Sequence, residues 1–192
     1  PIFTTMEGQR GKSSVSFFSQ NHLNGTFAPK LDLIYDSMDL TGDAFIDSSS
    51  SNTVHNSGII QLKSGGFSNG STSYGLVKFD LPSQYPSANS RFTLSLKVGM
   101  VNTADSRTVR VRKLFNASVW DEDSATYSNN RPENLDLESK NITAIISKKF
   151  GDSSSSQTSS LGSWINFDVT DMIEQDDGEG SVSFFLDITT YT

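Results

Sequence analysis

The amino-acid sequence predicts an all-β fold, an antiparallel jelly-roll β-sandwich, from two observations. The first is strict alternation of apolar and polar residues, clearest at 92–100, where every second side chain is apolar. The second is the separation of such stretches by turn dipeptides, of which Asn24-Gly25 and Asn69-Gly70 are examples. Many short strands joined by Gly, Ser and Asn turns are typical of a sandwich.

The predicted strands follow one another along the whole chain. Two lie near the N-terminus, at 15–18 and 31–35. In the penultimate strand, alternation places Ile165 and Phe167 on the inward face, and a short helical turn is predicted just after it, at 171–175. The other predicted strands are at 59–63, 77–81, 92–100, 109–112, 142–146 and 182–188.

Bulk composition excludes several classes of protein. The chain has 192 residues, enough for one domain with a sizeable core, and carries a formal net charge of -7. This acidic balance argues against nucleic acid and anionic membranes as partners. There is no cysteine, so disulfides and thiol chemistry are excluded. No apolar run approaches the roughly 20 residues of a membrane-spanning helix, so membrane insertion is not expected.

The distribution of small polar residues predicts an extracellular protein, either secreted or on the cell surface. Asn-x-Ser/Thr sequons are the acceptors of N-glycans in secreted proteins. Because the chain opens on Pro1 and shows no signal peptide, we expect it to be a processed piece of a longer precursor. The candidate glycosylation sites are Asn24, Asn69, Asn116 and Asn141.

Nothing in the sequence predicts an active site. His22 and His55 are the only histidines, and neither has a second ligand at metal-binding spacing. The Gly11-Lys12-Ser13 stretch lacks the first glycine of a phosphate-binding loop and precedes no helical pattern. We therefore expect the protein not to be an enzyme.

Acidic residues in turns allow one cofactor, a structural calcium ion. The clusters at 121–123 and 174–177 are expected to be solvated loop acids, but carboxylates in such loops also bind hard cations. The sequence does not rank the alternatives, and no other cofactor is expected. The candidate calcium ligands are Asp43, Asp47 and Asp168.

A basic group on two successive predicted strands is unusual in so acidic a chain. Arginine forks suit carboxylates and sulfates, so this surface is a candidate binding site for an anionic ligand or for an acidic neighbouring subunit. The alternative is that these are ordinary solvated strand charges. The residues are Lys97, Arg107, Arg110, Arg112 and Lys113.

Four motifs occur in the order found in a known family. The longest, at 120–133, has the pattern Trp-x-Glu-x-x-x-Thr-Tyr-x-Asn-x-x-Pro, and the others lie at 43–47, 75–81 and 164–170. Over residues 43–188 the chain resembles the family 96 carbohydrate-binding modules, also called DNRLRE or disaggregatase-related domains. The resemblance implies a jelly roll that binds acidic or neutral polysaccharides, and it makes an anionic glycan a candidate ligand of the basic residues on the two successive strands. Trp120 and Trp164 could stack on sugars, but both belong to family core motifs, so the resemblance favours a core position for each.

The resemblance further implies a rearranged final strand. The family's last strand corresponds here to 29–35, so the segment 1–42 carries a donor-like strand and the module 43–192 lacks its own. The residues of the donor strand are Leu31, Leu33 and Tyr35. That strand either folds back into its own module or inserts into another copy of the chain.

Insertion into another copy is the favoured route, because the Ser-Val-Ser-Phe-Phe sequence at 14–18 recurs at 181–185 and the two copies would compete for one place. This predicts a non-catalytic extracellular structural or adhesive module that assembles head-to-tail with copies of itself by strand complementation. The alternative is a carbohydrate-binding module for an acidic polysaccharide.

Overall fold

The chain folds into antiparallel β-structure, which confirms the predicted all-β class. The computed structural model describes residues 13–22, 26–33, 36–56, 58–64, 71–82, 91–102, 107–146, 162–173 and 180–190. Its strands are β1 (Ser13–Phe18), β2 (Lys30–Leu33), β3 (Asp36–Met38), β4 (Leu40–Asp47), β5 (Ile59–Ser64), β6 (Ser73–Asp80), β7 (Phe92–Asn102), β8 (Arg107–Lys113), β9 (Ile142–Ile146), β10 (Trp164–Asp168) and β11 (Ser181–Thr190). The two α-helices, α1 (Tyr127–Asn130) and α2 (Thr170–Ile173), are single turns, and no helix in these ranges is long and apolar enough to span a membrane.

The strands form one curled sheet in the order β3-β2-β7-β1-β5-β6-β11-β8-β9, with β10 paired to β7 and β4 paired to β6. The curled sheet has two layers. The first layer is β4-β6-β11-β8-β9, and the second contains β5, β1, β7 and β10 with the β2-β3 hairpin. Strand β7 is long enough to pair with β2 along its first half, with β1 along its second half and with β10 on its other edge. The layers connect where Lys63 of β5 pairs with Ser73 of β6.

The main core lies between the layers. It consists of the residues that point inward from strands in which buried and exposed positions alternate. The first two strands bury Val15, Phe17, Leu31 and Leu33 in this core. The other strands that contribute buried residues are β4 to β8, β10 and β11. Each fully buried apolar side chain contributes roughly 1.5–3 kcal/mol. Gly75 of β6 leaves room for the side chain of Ile60, because a Cβ at position 75 would lie 2.6 Å from Ile60 Cγ2.

A second, smaller core lies on the outer side of the first layer. It is covered by the segment 114–138, which contains α1 and two 3₁₀ turns, Ala117–Val119 and Pro132–Asn134. We call this segment the covering loop. Its apolar side chains pack against outward residues of β4, β6 and β11. The buried members are Ala44, Ile46, Leu76, Leu114, Trp120, Ala125, Leu135 and Phe185.

The N-terminal strands are part of the same chain's sandwich. Strand β1 lies between β5 and β7, and β2 places Leu31 and Leu33 against β7; Tyr35 lies outside the described residues. The second Ser-Val-Ser-Phe-Phe copy lies elsewhere, in β11 between β6 and β8. The expectation that the two copies compete for one place is therefore wrong, because each has its own position.

Candidate functional site

The outer side of the second layer is a polar and aromatic surface built on β2, β7 and β10, and its side chains Lys30, Trp164, Asn166 and Asp168 are exposed. Cross-strand pairing sets its rows. Lys97 is opposite Trp164, and Ser95 is opposite both Asn166 and Lys30. We call this surface the open face. It consists of Phe18, His22, Phe27, Lys30, Asp32, Thr93, Ser95, Lys97, Trp164, Asn166 and Asp168.

Trp164 is the main aromatic group of the open face. Strand β10 alternates so that Ile165 and Phe167 point into the core, which leaves Trp164 on the outside with 36% of its surface exposed. The Nζ atoms of Lys30 and Lys97 lie 4.9 Å and 5.7 Å from its ring centroid. The expectation that Trp164 lies in the core is therefore wrong.

A row of aromatic rings extends from Trp164 towards the end of β1. Lys97 Nζ lies 3.5 Å from the ring centroid of Phe27, so this ammonium group is shared by two aromatic residues. Phe27 lies 5.3 Å from Phe18, which in turn stacks on His22 at 4.2 Å. Together these residues form a strip of π-surface with a cation in its middle.

The opposite end of the open face is acidic and rich in hydrogen-bonding groups. Thr93 pairs with Asp32 on one side and Asp168 on the other, and Asn166 is exposed beside them. Hydrogen bonds from Thr170 are the main cause that lowers the pKa of Asp168, so this exposed carboxyl is ionised at neutral pH. The face therefore has a cationic aromatic end and an anionic polar end.

The other tryptophan has the opposite environment. Trp120 retains only 4% exposure under the covering loop, and its Nε1 donates a hydrogen bond to Ser183 Oγ at 3.1 Å. Lys78 Nζ donates to the Trp120 carbonyl oxygen at 2.6 Å and lies 4.9 Å from its ring centroid. The expected core position of Trp120 is confirmed, and its motif fixes the covering loop.

The structure does not bring the five predicted basic residues together. Only Lys97 lies on the open face. Arg110 and Arg112 project from β8 and both donate to Asp187 Oδ2, at 2.7 Å and 3.0 Å. Arg107 and Lys113 alternate onto the other side of β8 and are buried.

The three candidate calcium ligands are also dispersed. Asp43 and Asp47 lie four residues apart in β4, whereas Asp168 lies on the open face of the other layer. Asp47 forms an ion pair with Lys63, which already supplies the compensating charge. Within the ranges described above, no cluster of three His, Asp or Glu side chains could hold a metal ion.

The two carboxyl groups of β4 titrate in opposite directions. Burial raises the pKa of Asp43 to about 7, although a hydrogen bond from the Gln20 backbone opposes the rise. Burial would also raise the pKa of Asp47, but hydrogen bonds from Lys63, Ser49 and Ser73 outweigh it and lower the pKa to about 2. Asp47 is thus a stable anion, and Asp43 is a carboxyl group whose charge is not compensated.

Of the four sequons, Asn116 and Asn141 are exposed, whereas Asn24 and Asn69 fall outside the described residues. Sequence reasoning missed Phe18, Phe27 and Lys30 as surface residues, because they come together only when β1 and β2 meet β7. A signal for Trp164 was present in its own strand. Since Ile165 and Phe167 alternate inward, the residue before them has to face outward.

A comparison with protein families finds a match to the model described as carbohydrate-binding module family 96, over residues 34–191. This confirms the resemblance inferred from the four motifs. The match includes β3 to β11 and therefore two strands of the open face, β7 and β10; β1 and β2 precede it. No curated protein matches the chain.

Proposed function

Because the chain belongs to carbohydrate-binding module family 96, we propose that it binds an acidic polysaccharide non-catalytically through the open face. The observation that carries this proposal is the exposed Trp164 ring on a sheet surface lined with hydrogen-bonding groups. An extracellular location is part of the proposal, since polysaccharides of this kind are found outside cells.

The aromatic strip suits the shape of a sugar. One side of a pyranose ring presents C–H groups, which pack against the face of an aromatic ring, while hydroxyl groups around the edge need hydrogen-bonding partners. Trp164 and Phe27 supply the rings. Asn166 and Thr93, further along the open face towards its acidic end, supply amide and hydroxyl groups.

The charge distribution favours an anionic chain over a neutral one. Lys30 and Lys97 place ammonium groups at the aromatic end, where carboxylates or sulfates of a ligand would be attracted. Asp32 and Asp168 at the other end would repel the same groups. The ligand's anionic groups are therefore expected beside Lys97, with hydroxyl groups towards Asn166.

Affinity electrophoresis in gels containing a polyuronate, a sulfated galactan or a neutral glucan tests this proposal. Retardation by the anionic polymers should weaken as salt rises. Lys30→Ala with Lys97→Ala should weaken it by roughly tenfold, about 1.4 kcal/mol, while Lys140→Ala serves as a surface-charge control.

Arg110→Ala with Arg112→Ala tests the basic pair on the other layer in the same gels. Loss of binding in this variant alone, with the Lys30 and Lys97 variant unchanged, would move the site away from the open face. Retardation by the neutral glucan alone would contradict an acidic ligand.

A second proposed function is head-to-tail self-assembly, in which copies exchange the N-terminal strands in an extracellular structural array. Its support is that β1 and β2 precede the family match and yet bury Val15, Phe17, Leu31 and Leu33 in the core. Between copies, the same contacts would join one molecule to the next and leave an open chain.

Light scattering during size-exclusion chromatography, over a wide range of protein concentrations, tests the assembly. Exchange predicts a ladder of oligomers that grows with concentration and persists without any glycan. A single monomer peak at all concentrations would contradict assembly and would agree with the fold-back arrangement of this chain.

A further inference from the structure

One oxygen of the Asp43 carboxyl group has no hydrogen-bond partner among the described residues. Its side chain is fully buried at the start of β4, where Oδ2 accepts the backbone N–H of Gln20 at 2.6 Å. The other oxygen, Oδ1, is buried and has no hydrogen-bond partner among the described residues. A buried acceptor without a partner is costly, and such a group in a native fold calls for an unseen ligand or proton.

A second carboxyl group, that of Glu122, accepts a hydrogen bond from the backbone N–H of Asp43. The side-chain amide of Gln20 donates to Glu122 Oε2, and Asn21 Nδ2 donates to Glu122 Oε1 at 3.2 Å. Gln20 thus connects both carboxyl groups, one through its backbone and one through its side chain. The covering loop lies against this point, because a Cβ on Gly42 would be 3.6 Å from Glu122 Cβ.

The surrounding atoms are those that a hard cation prefers. Besides the two carboxyl groups, the cluster holds the amide groups of Gln20 and Asn21 and the carbonyl oxygen of Asn56, which Asn21 Nδ2 contacts. Calcium takes six to eight oxygen ligands in flexible geometry, and carboxylates, amides and backbone carbonyls all serve. The site lacks the imidazole and thiolate ligands typical of zinc.

We propose that Asp43 and Glu122 bind a calcium ion between the end of β1, the start of β4 and the covering loop. Asp43 Oδ1 and the Glu122 carboxylate supply the charge. The amides of Gln20 and Asn21, which donate to Glu122 in this structure, rotate to present their oxygens to the ion. The pair differs from the set expected from the sequence, in which Asp43 was grouped with Asp47 and Asp168.

The location gives the ion a structural role. Gln20 and Asn21 follow β1 directly, whereas Glu122 lies two residues after the buried Trp120. A bound ion would hold the N-terminal strand against the covering loop. The proposal is independent of the open face and of the proposed glycan binding.

Terbium luminescence and thermal unfolding test the site on the full chain. Terbium replaces calcium at oxygen-rich sites, and excitation of the neighbouring Trp120 should sensitise its emission. One millimolar calcium chloride should raise the midpoint of unfolding by about 5 °C relative to EGTA. Glu122→Gln should abolish both effects, while Glu133→Gln, the same change at an exposed position of the covering loop, should leave both intact.

The outcomes separate an ion from a proton. No terbium emission and no calcium-dependent shift in the wild-type chain would overturn the proposal. So would a Glu122→Gln variant that responds to calcium as the wild type does. If Asp43→Asn folds and is more stable than the wild type in calcium as well as in EGTA, Asp43 acts as a protonated carboxyl group instead. If Asp43→Asn does not fold, Glu122→Gln alone decides.

Discussion

The two tryptophans lie on the outer faces of opposite layers, and their environments differ completely. Trp120 is sealed beneath the covering loop with its indole N–H bonded to Ser183, whereas Trp164 is exposed beside two lysines. Each is the large aromatic residue of its own motif. The covering loop buries one outer face and gives it a structural role, whereas the exposed indole of the other face is available to a ligand. The presence of a tryptophan alone does not distinguish the two roles.

The comparison extends to the charged residues of the two faces. Lys78 beneath the covering loop and Lys97 on the open face both lie near an indole ring. Lys78 is also fixed by a hydrogen bond to the Trp120 carbonyl, and burial lowers its pKa. Lys97 is partly exposed on the open face, where its ammonium group can meet a ligand.

Removing each indole should separate stability from binding most clearly. Trp120→Ala empties a buried site and removes the indole N–H that donates to Ser183 Oγ, so we expect a loss of about 3–5 kcal/mol in the free energy of unfolding. Trp164→Ala, at a surface position, should cost less than about 1 kcal/mol. Urea unfolding followed by circular dichroism measures both. Equal losses would mean that the two faces do not differ as described.

The pH dependence of stability should distinguish the buried carboxylate Asp47 from the exposed carboxylate Asp168, with a smaller effect than the tryptophan substitutions. Because the folded pKa of Asp47 is about 2, below its ordinary value of 3.8, its stabilisation is present above that ordinary value and is lost as the pH falls towards 2. Lys63 and His55 are the titratable groups whose charges interact with it.

Thermal unfolding between pH 6 and pH 2 measures this contribution. Asp47→Asn should be less stable than the wild type at pH 6 and should converge with it at the acid end. Asp168→Asn should follow the wild-type curve closely, because solvent screens both the Thr170 hydrogen bonds and the 4.0 Å Arg91 pair of this largely exposed carboxyl group. Parallel curves for wild type and Asp47→Asn would show that the Lys63 pair contributes no pH dependence.

Local patterns predicted much of the fold. Period-2 alternation identified the strands because each has one buried side, and the family motifs placed Trp120 in the core. The same alternation assigns Trp164 to the surface, and the family motif misled the expectation for this residue. Membership of a family motif does not show whether a residue lies on the buried or the exposed face of its strand.

The rest depended on contacts between distant parts of the chain. Lys97 and Arg110 lie on successive strands, but β7 and β8 belong to different layers, so the basic surface expected from their order does not form. Phe18 and Phe27 reach the open face only through pairing of β1 and β2 with β7. Glu122 approaches Asp43 only because the covering loop folds back over β4.

Calorimetric titration of a soluble polyuronate into wild type, Trp164→Phe and Trp164→Ala tests the central claim most directly. We predict that Trp164→Phe keeps most of the affinity, because it keeps an aromatic face for the sugar. Trp164→Ala should lose roughly tenfold, equivalent to about 1.4 kcal/mol, while all three proteins unfold at similar urea concentrations. Undiminished binding by a folded Trp164→Ala variant would contradict the assignment of the open face as the glycan-binding surface.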